Sequence, residues 1–219
     1  TFGSGQTPAS MELLPVSYTF RASYAGASLD KTQNIASNTE VTFQTNLVSF
    51  KLLDSGNNEM QGDAQYYANG WKTFGNGKTG STKEMLPVGY TFRVSYGGAS
   101  QDKTQNIGGD QLVVFQTKLV ILQVLDSSGS SELAAGAQYY ANGWKVFGGG
   151  TTTATMEMLP VSYTFRVSYG GASLDKTQNV ATNIEVVFET VKVHSDSGSC
   201  TMFYACLLYT SPSPRDRTR

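Results

Sequence analysis

Apolar and polar residues alternate without a break from residue 161 to residue 169, the most regular stretch in the chain. The apolar positions are Val161, Tyr163, Phe165, Val167 and Tyr169. A period of two places the two sets of side chains on opposite faces of a β-strand. The pattern therefore predicts an amphipathic strand whose apolar face lies at the centre of a core.

The stretch around this strand occurs three times in near-identical form. The copies run from 14 to 34, 86 to 106 and 159 to 179, so their starts differ by 72 (86 minus 14) and 73 (159 minus 86). A second shared block, residues 64–71, returns 73 residues later at 137–144. Self-similarity at a fixed period predicts a chain built from repeated structural units.

The repeat length sets the expected domain boundaries. We expect a partial repeat at 1–45, full repeats at 46–117 and 118–190, the start of a truncated fourth repeat at 191–205, and a tail at 206–219. The tail matches no repeat and resembles the translated sequencing-adapter tails found on some assembled reading frames. The alternative is a natural disordered tail rich in Ser, Pro and Arg.

A full repeat contains six or seven short apolar-polar segments separated by turn residues. In the second full repeat the expected strands are 119–125, 136–141, 144–147, 161–169, 175–180 and 185–190, with 151–158 extended. The expected turns are 126–129, Asn142-Gly143, 148–150 and 170–171. Short strands with turn signals every ~8–12 residues and no helical period predict an antiparallel β-sandwich. The polar segment 175–180 is expected at a sheet edge.

The order of these elements carries a family resemblance. An Asp-x-x-Gly turn, a Glu-Met-Leu-Pro approach and a Tyr-Thr-Phe-Arg-Val strand follow one another at 126–129, 157–160 and 163–167. This resembles the Leu-Pro-x-x-Tyr signature of prealbumin-like sandwiches, which include the carboxypeptidase-regulatory-like and collagen-adhesin B-type repeats of bacterial surface proteins. The resemblance covers about residues 1–205 and implies tandem Ig-like or prealbumin-like repeats of about 72–73 residues in an extracellular or cell-surface protein.

Charge and composition exclude two classes of partner. The chain carries a net charge of −1 with 15% charged residues, whereas nucleic-acid binding needs a concentrated basic face. No apolar run approaches the ~18 residues of a membrane span. The two cysteines, Cys200 and Cys206, lie outside the full repeats, so we expect those repeats to fold without disulfides.

The sequence offers no convincing catalytic or metal site. His194 is the single histidine, and Ser195 and Asp196 stand beside it only along the chain, whereas catalytic triads are assembled in space. The acidic turns at 54–59 and 126–132 lack the dense carboxylate spacing of a calcium loop, and turn chemistry explains their residues. We predict a protein that is not an enzyme and that uses no metal or cofactor.

Exposed aromatic residues are the best candidates for ligand binding. In each Tyr-Tyr pair the second ring points away from the core if the first points inward, and a Trp follows the adjacent hairpin turn. The candidate residues are Tyr67, Trp71, Tyr140 and Trp144. Such rings can stack on sugars, and one pair in each repeat would form a multivalent array. The alternative is that each Trp covers its own small core.

The first functional hypothesis is a non-enzymatic structural or adhesive repeat region, a stalk or spacer whose partners are neighbouring repeats of a longer chain. The second is a multivalent carbohydrate-binding array that uses the exposed Tyr and Trp residues on a surface or extracellular polysaccharide. Neither hypothesis involves nucleic acid or a membrane-spanning segment in this part of the protein.

Overall fold

The computed structural model describes residues 2–3 and 5–194, and every regular element in this part of the chain is a β-strand. The predicted all-β sandwich fold is confirmed. Two compact units are present: one combines the described residues up to Tyr96 with Ser100–Thr117, and the other combines Gly97–Ala99 with the described residues from Lys118 onward. The expected tail at 206–219 and most of the expected fourth repeat lie outside the described residues.

The first unit contains a hairpin and two larger sheets. Its strands are β1 (Ser17–Tyr24), β2 (Ala27–Asn34), β3 (Asn46–Leu53), β4 (Glu59–Met60), β5 (Asp63–Tyr67), β6 (Trp71–Lys78), β7 (Thr82–Met85), β8 (Gly89–Tyr96), β9 (Ala99–Asn106) and β10 (Leu112–Gln116). Strands β1 and β2 pair with each other. One sheet has the order β6-β5-β8-β9, and the other has the order β10-β3-β4, with β7 also paired to β3.

The second unit repeats this plan. Its strands are β11 (Lys118–Leu125), β12 (Gly136–Tyr140), β13 (Trp144–Thr151), β14 (Ala154–Met158), β15 (Ser162–Tyr169), β16 (Ala172–Asn179) and β17 (Glu185–Glu189). The sheet orders are β13-β12-β15-β16 and β14-β11-β17. The polar strand β16 lies at a sheet edge, as predicted. None of the described residues forms a helix long and apolar enough to cross a membrane.

The alternating strand of each full repeat forms the centre of its core. Phe165 of β15 is fully buried, as is Phe92 at the matching place in β8. In the first unit, the ring of Phe50 on β3 packs 6.0 Å from that of Phe92 and 5.4 Å from that of Phe115 on β10. Phe50 therefore joins the two sheets. Burying each such side chain contributes about 1.5–3 kcal/mol.

The same face is only half-buried in the partial first repeat. Phe20 of β1 stands where Phe92 stands in β8, yet it remains partly accessible, and Val16 is 49% exposed. Phe2 packs edge-on against Phe20 with ring centroids 5.7 Å apart. Similar apolar patterns therefore reach different burial, and Ala22 also makes this face smaller where the other copies have Val94 and Val167.

One pairing in each full repeat departs from the expected antiparallel arrangement. The first and last strands run parallel: β3 with β10, and β11 with β17. Phe50 faces Val113 in the first of these ladders, and Leu122 faces Val186 in the second. Alternation identifies the two faces of a strand but carries no information about which neighbour it takes or in which direction.

The expected turn at 148–150 is wrong. These glycines lie inside β13, where the register with β12 shifts between Gly136 and Gln138. The φ angles of Gly148 and Gly150 are 52° and 86°, so the glycines form a bulge that bends the strand instead of ending it. The chain reverses at Thr152 and Thr153 instead.

Candidate functional site

A short hairpin loop places the aromatic pair of each repeat. Residues 141–143 connect β12 to β13, and Asn142 takes a φ of 54°, a left-handed conformation that Asn tolerates better than most residues. The predicted hairpin is present, with Ala141 in the loop as well as Asn142 and Gly143. A loop of this length sets Trp144 directly opposite Tyr140 in the ladder.

The two aromatic rings form the same outward-facing pair in both full repeats. The centroids of Tyr140 and Trp144 are 5.5 Å apart with an interplanar angle of 75°, and Tyr67 and Trp71 show the same values. Each Tyr is 50% exposed and each Trp 37% exposed. Tyr139, one position earlier, is only 3% exposed. The Trp rings therefore lie on the outer face of the sheet and do not enter the core.

An arginine covers part of each Trp ring. The guanidinium carbon of Arg166 lies 3.9 Å from the centroid of Trp144, and Arg93 lies 3.9 Å from Trp71. Arg166 is on β15, so its side chain reaches across β12 to the ring on β13. A cation over a Trp face is attracted by the ring quadrupole, which contributes about 0.5–1 kcal/mol at exposed sites.

An aspartate on the edge strand holds each arginine in place. Asp175 lies directly opposite Arg166 in the β15–β16 ladder and accepts two hydrogen bonds from its guanidinium, at 2.7 and 2.8 Å. Asp102 accepts the same two bonds from Arg93, at 2.7 and 2.8 Å. Outward-facing Trp, Tyr, Arg and Asp residues thus lie on the four successive strands of this sheet in each full repeat, with the Arg in register with Gln138 or Gln65 and not with the Tyr. We call these four residues the aromatic row.

The paired charges leave this row electrically balanced. The hydrogen bonds from Arg166 hold the pKa of the Asp175 carboxyl below its ordinary value, and the same bonds raise the pKa of Arg166. Both groups therefore stay charged over the physiological range while neutralising each other. The aromatic pair is therefore edged by an ion pair with no net charge.

The partial repeat supplies an internal comparison. Arg21 makes the same bidentate bonds with Asp30, at 2.6 and 2.7 Å. No Trp precedes β1 in the sequence, and the Arg21 side chain is 68% exposed, against 32% for Arg93 and 33% for Arg166. Arg21 lacks both the Trp ring and the adjacent strand that cover the arginines of the full repeats, because β1 and β2 form a sheet of two strands.

Sequence reasoning found the aromatic residues but missed their charged partners. Alternation puts Arg166 on the polar face of its strand, and Asp175 falls in the polar segment expected at a sheet edge, but neither pattern predicts a contact with the Trp ring. The overlooked signal is the constant separation of nine residues between Arg and Asp in all three copies. Two strands joined by a tight turn bring residues at that spacing directly opposite each other.

The acidic turns use their carboxylates internally. Asp54 accepts the backbone N–H groups of Gly56 and Asn58, both at 2.8 Å, and Asp126 accepts those of three serines that follow it. Within residues 2–3 and 5–194, no group of three or more His, Cys, Asp or Glu is placed to hold a metal ion. His194 is the last described residue, and Ser195 and Asp196 lie outside the described part of the chain.

Comparisons with known proteins give only distant likenesses. No family model matches this chain, and no curated protein matches it. Among solved structures, the Bacillus anthracis TIE protein is similar to 80% of this chain at 8% identity, with a TM-score of 0.26, and the match covers 40% of that protein. A streptococcal ancillary pilin is similar to 79% of this chain at 12% identity, with a TM-score of 0.28, and 74% of that protein is covered. Neither likeness assigns a family or a function to this chain.

Proposed function

We propose that the full repeats form a tension-resisting spacer in a secreted or cell-surface protein. The observation that supports this role is the parallel pairing of the first and last strands in each full repeat, β3 with β10 and β11 with β17. The surface location rests on the sequence resemblance to bacterial surface repeats.

Parallel pairing of these two strands determines how a stretching force acts on a repeat. The chain enters the second full repeat at the start of β11 and leaves it at the end of β17. Tension pulls these neighbouring strands in opposite directions along their length, so all the bonds of their ladder are strained together. In a hairpin pulled at its open end, the bonds break one after another. Shear therefore requires a larger force than unzipping.

The chain passes between successive full repeats with almost no linker. Strand β10 ends at Gln116 and β11 begins at Lys118, so only Thr117 lies between them. Thr117 is 1% exposed, and its N–H donates to the carbonyl oxygen of Leu53 at 2.9 Å. A buried, hydrogen-bonded junction residue transmits tension directly into the last strand of its repeat.

Single-molecule pulling on the full chain tests this role, with Cys200 and Cys206 replaced by serine. In the first geometry the handles are attached at the two chain ends, which shears β11 against β17. In the second they are attached at residues 162 and 179, which are paired at the open end of the β15–β16 hairpin. We expect a clearly higher unfolding force in the first geometry. Equal or lower forces there would contradict the proposal.

A second candidate function is carbohydrate binding by the aromatic row. Two observations favour a sugar ligand. Tyr67–Trp71 and Tyr140–Trp144 are exposed in the same geometry, and an ion pair with no net charge lies beside each Trp. Two such rows on one chain would bind a polysaccharide with greater avidity than either row alone.

Glycan-array binding of the full chain tests this candidate. We expect the double variant Trp71→Ala with Trp144→Ala to lose the binding that the unmodified chain shows. The matched control is Tyr169→Ala, which removes an aromatic ring that is 49% exposed but stands outside the row. Binding that survives the double Trp variant, or that Tyr169→Ala removes equally, would reject the carbohydrate hypothesis.

A further inference from the structure

A hairpin turn of the partial repeat docks onto the first full repeat within the first compact unit. The turn between β1 and β2 consists of Ala25 and Gly26. The phenol of Tyr66, on β5, donates a hydrogen bond to the Ala25 carbonyl oxygen at 3.0 Å. Tyr66 is 2% exposed, so this hydroxyl reaches the turn from the edge of the core.

Only glycine fits at the second position of this turn. A Cβ atom added at Gly26 would lie 2.5 Å from Cε of Lys72 and 2.6 Å from the carbonyl oxygen of Ala68. The φ of Gly26 is 88°, which side chains rarely adopt. The Ala68 backbone and the Lys72 stem therefore close around the turn while the Tyr66 hydroxyl binds it.

The same contact recurs within the second compact unit, which includes Gly97–Ala99. The Tyr139 hydroxyl donates to the Gly97 carbonyl oxygen at 2.9 Å. A Cβ atom at Gly98 would lie 2.6 Å from the carbonyl oxygen of Ala141 and 2.6 Å from Cε of Lys145. The surface that contacts the turn thus consists of Tyr139, Ala141 and Lys145, each 73 residues after its counterpart in the first full repeat.

A third copy of the turn, at Gly171, meets no neighbour among the described residues. A Cβ atom at Gly171 would meet no heavy atom within 4 Å, although its φ of 80° matches those of the other two turns. The conformation alone therefore favours glycine at 171, whereas at 26 and 98 a close neighbour also excludes any side chain. A substitution at Gly171 therefore reports backbone strain alone, whereas a substitution at Gly26 or Gly98 reports strain and docking together.

We propose that the Tyr-Ala-Lys set of each full repeat, residues 66, 68 and 72 and residues 139, 141 and 145, is a docking surface for the glycine turn of the preceding repeat. The Tyr hydroxyl donates a hydrogen bond to the turn, and the absence of a Cβ atom on the glycine allows the turn to approach the Ala carbonyl oxygen and the Lys side chain closely. This docking does not depend on the spacer function.

Hydrogen exchange on the full chain provides the first test. Tyr66→Phe removes one oxygen atom and leaves the buried ring in place. We expect amide exchange in the β1–β2 hairpin to rise roughly two- to tenfold, the range expected for one net hydrogen bond. Tyr139→Phe should do the same at 97–99 and leave the β1–β2 hairpin unchanged. The control is Tyr67→Phe, whose exposed hydroxyl lies outside the docking surface.

Glycine substitutions provide the second test, with Gly171→Ala as the matched control for backbone strain. Gly26→Ala and Gly98→Ala should raise exchange in their own hairpins roughly two- to tenfold beyond the rise that Gly171→Ala causes in the β15–β16 hairpin. Equal effects at all three glycines, or unchanged hairpin exchange in Tyr66→Phe and Tyr139→Phe, would overturn the proposal. The Tyr variants keep the test decisive if a glycine variant fails to fold.

Discussion

Thr79 and Gly62 are joined by two hydrogen bonds, one in each direction. The N–H of Thr79 donates to the Gly62 carbonyl oxygen at 2.9 Å, and its hydroxyl oxygen accepts the Gly62 N–H at 3.0 Å. The same hydroxyl donates to the Met60 carbonyl oxygen at 2.6 Å, and Thr79 is 3% exposed. Thr152 repeats all three bonds in the second full repeat, with Ala135 and Leu133 as partners.

Replacing Thr79 with Val should destabilise its repeat by about 1–3 kcal/mol, because the change removes the hydroxyl partner of the buried Gly62 N–H and of the half-buried Met60 carbonyl. Urea unfolding followed by circular dichroism measures the loss, and Thr152→Val should behave alike. Thr91→Val is the control, since the Thr91 hydroxyl pairs with that of Thr104 at 3.0 Å on the outer face. A Thr79→Val variant as stable as the control would show that water replaces the lost hydrogen bonds of the Thr79 hydroxyl.

The stacking of Arg93 on Trp71 should appear as a coupling between the two side chains. Trp71→Ala should lower stability, and Arg93→Ala should do so because it removes the cation from the ring face. In a double-mutant cycle we expect a coupling energy of about 0.5–1 kcal/mol. The matching cycle at Trp144 and Arg166 should give the same value, because the geometry is identical. Additive effects in both cycles would mean that the rings only shield the arginines.

The turn carboxylate of Asp126 should contribute to acid sensitivity. Hydrogen bonds from the Ser128 hydroxyl and from the backbone N–H groups of Ser130, Ser131 and Ser128 lower the pKa of Asp126 to about 2. A lowered pKa means that its contribution to folding is present above the unfolded value near 4 and is lost as the pH falls through about 2.

Asp126→Asn should therefore lose less stability than the unmodified chain between pH ~4 and ~2. Urea midpoints measured across this interval supply the comparison, and the values at neutral pH serve as the reference for each protein. Parallel pH profiles for the two proteins would count against a role for the ionised carboxylate.

The buried phenol of Tyr90 should make the first full repeat sensitive to alkali. Burial raises the pKa of Tyr90 to about 12, and Tyr90 is 2% exposed. The unfolded chain ionises this phenol near pH 10, so its contribution is present below that pH and is lost as the pH rises toward about 12. Tyr90→Phe should weaken the decline in stability over this interval. Identical declines in both proteins would assign the alkaline effect to other groups.

The chain itself determined the all-β class, the repeat and the inward face of the central strand. Alternation in residues 161–169 is a local property, because the period of a strand decides which side chains share a face. The Asn-Gly hairpin could also be anticipated, since the loop residues must adopt left-handed conformations whatever surrounds them. The exposure of Tyr140 beside the buried Tyr139 follows from the same alternation.

Only the tertiary structure decided which strands are neighbours. Parallel pairing of β11 with β17 joins segments at opposite ends of a repeat, and no local pattern encodes that contact. The Arg166–Trp144 stack depends on strand order, because β12 must lie between the two strands that carry these residues. The contrast between Gly98 and Gly171 is the clearest case: the same turn sequence is packed in one place and, among the described residues, open in the other. A glycine's own φ is local, whereas the atoms that exclude its Cβ come from a neighbouring repeat.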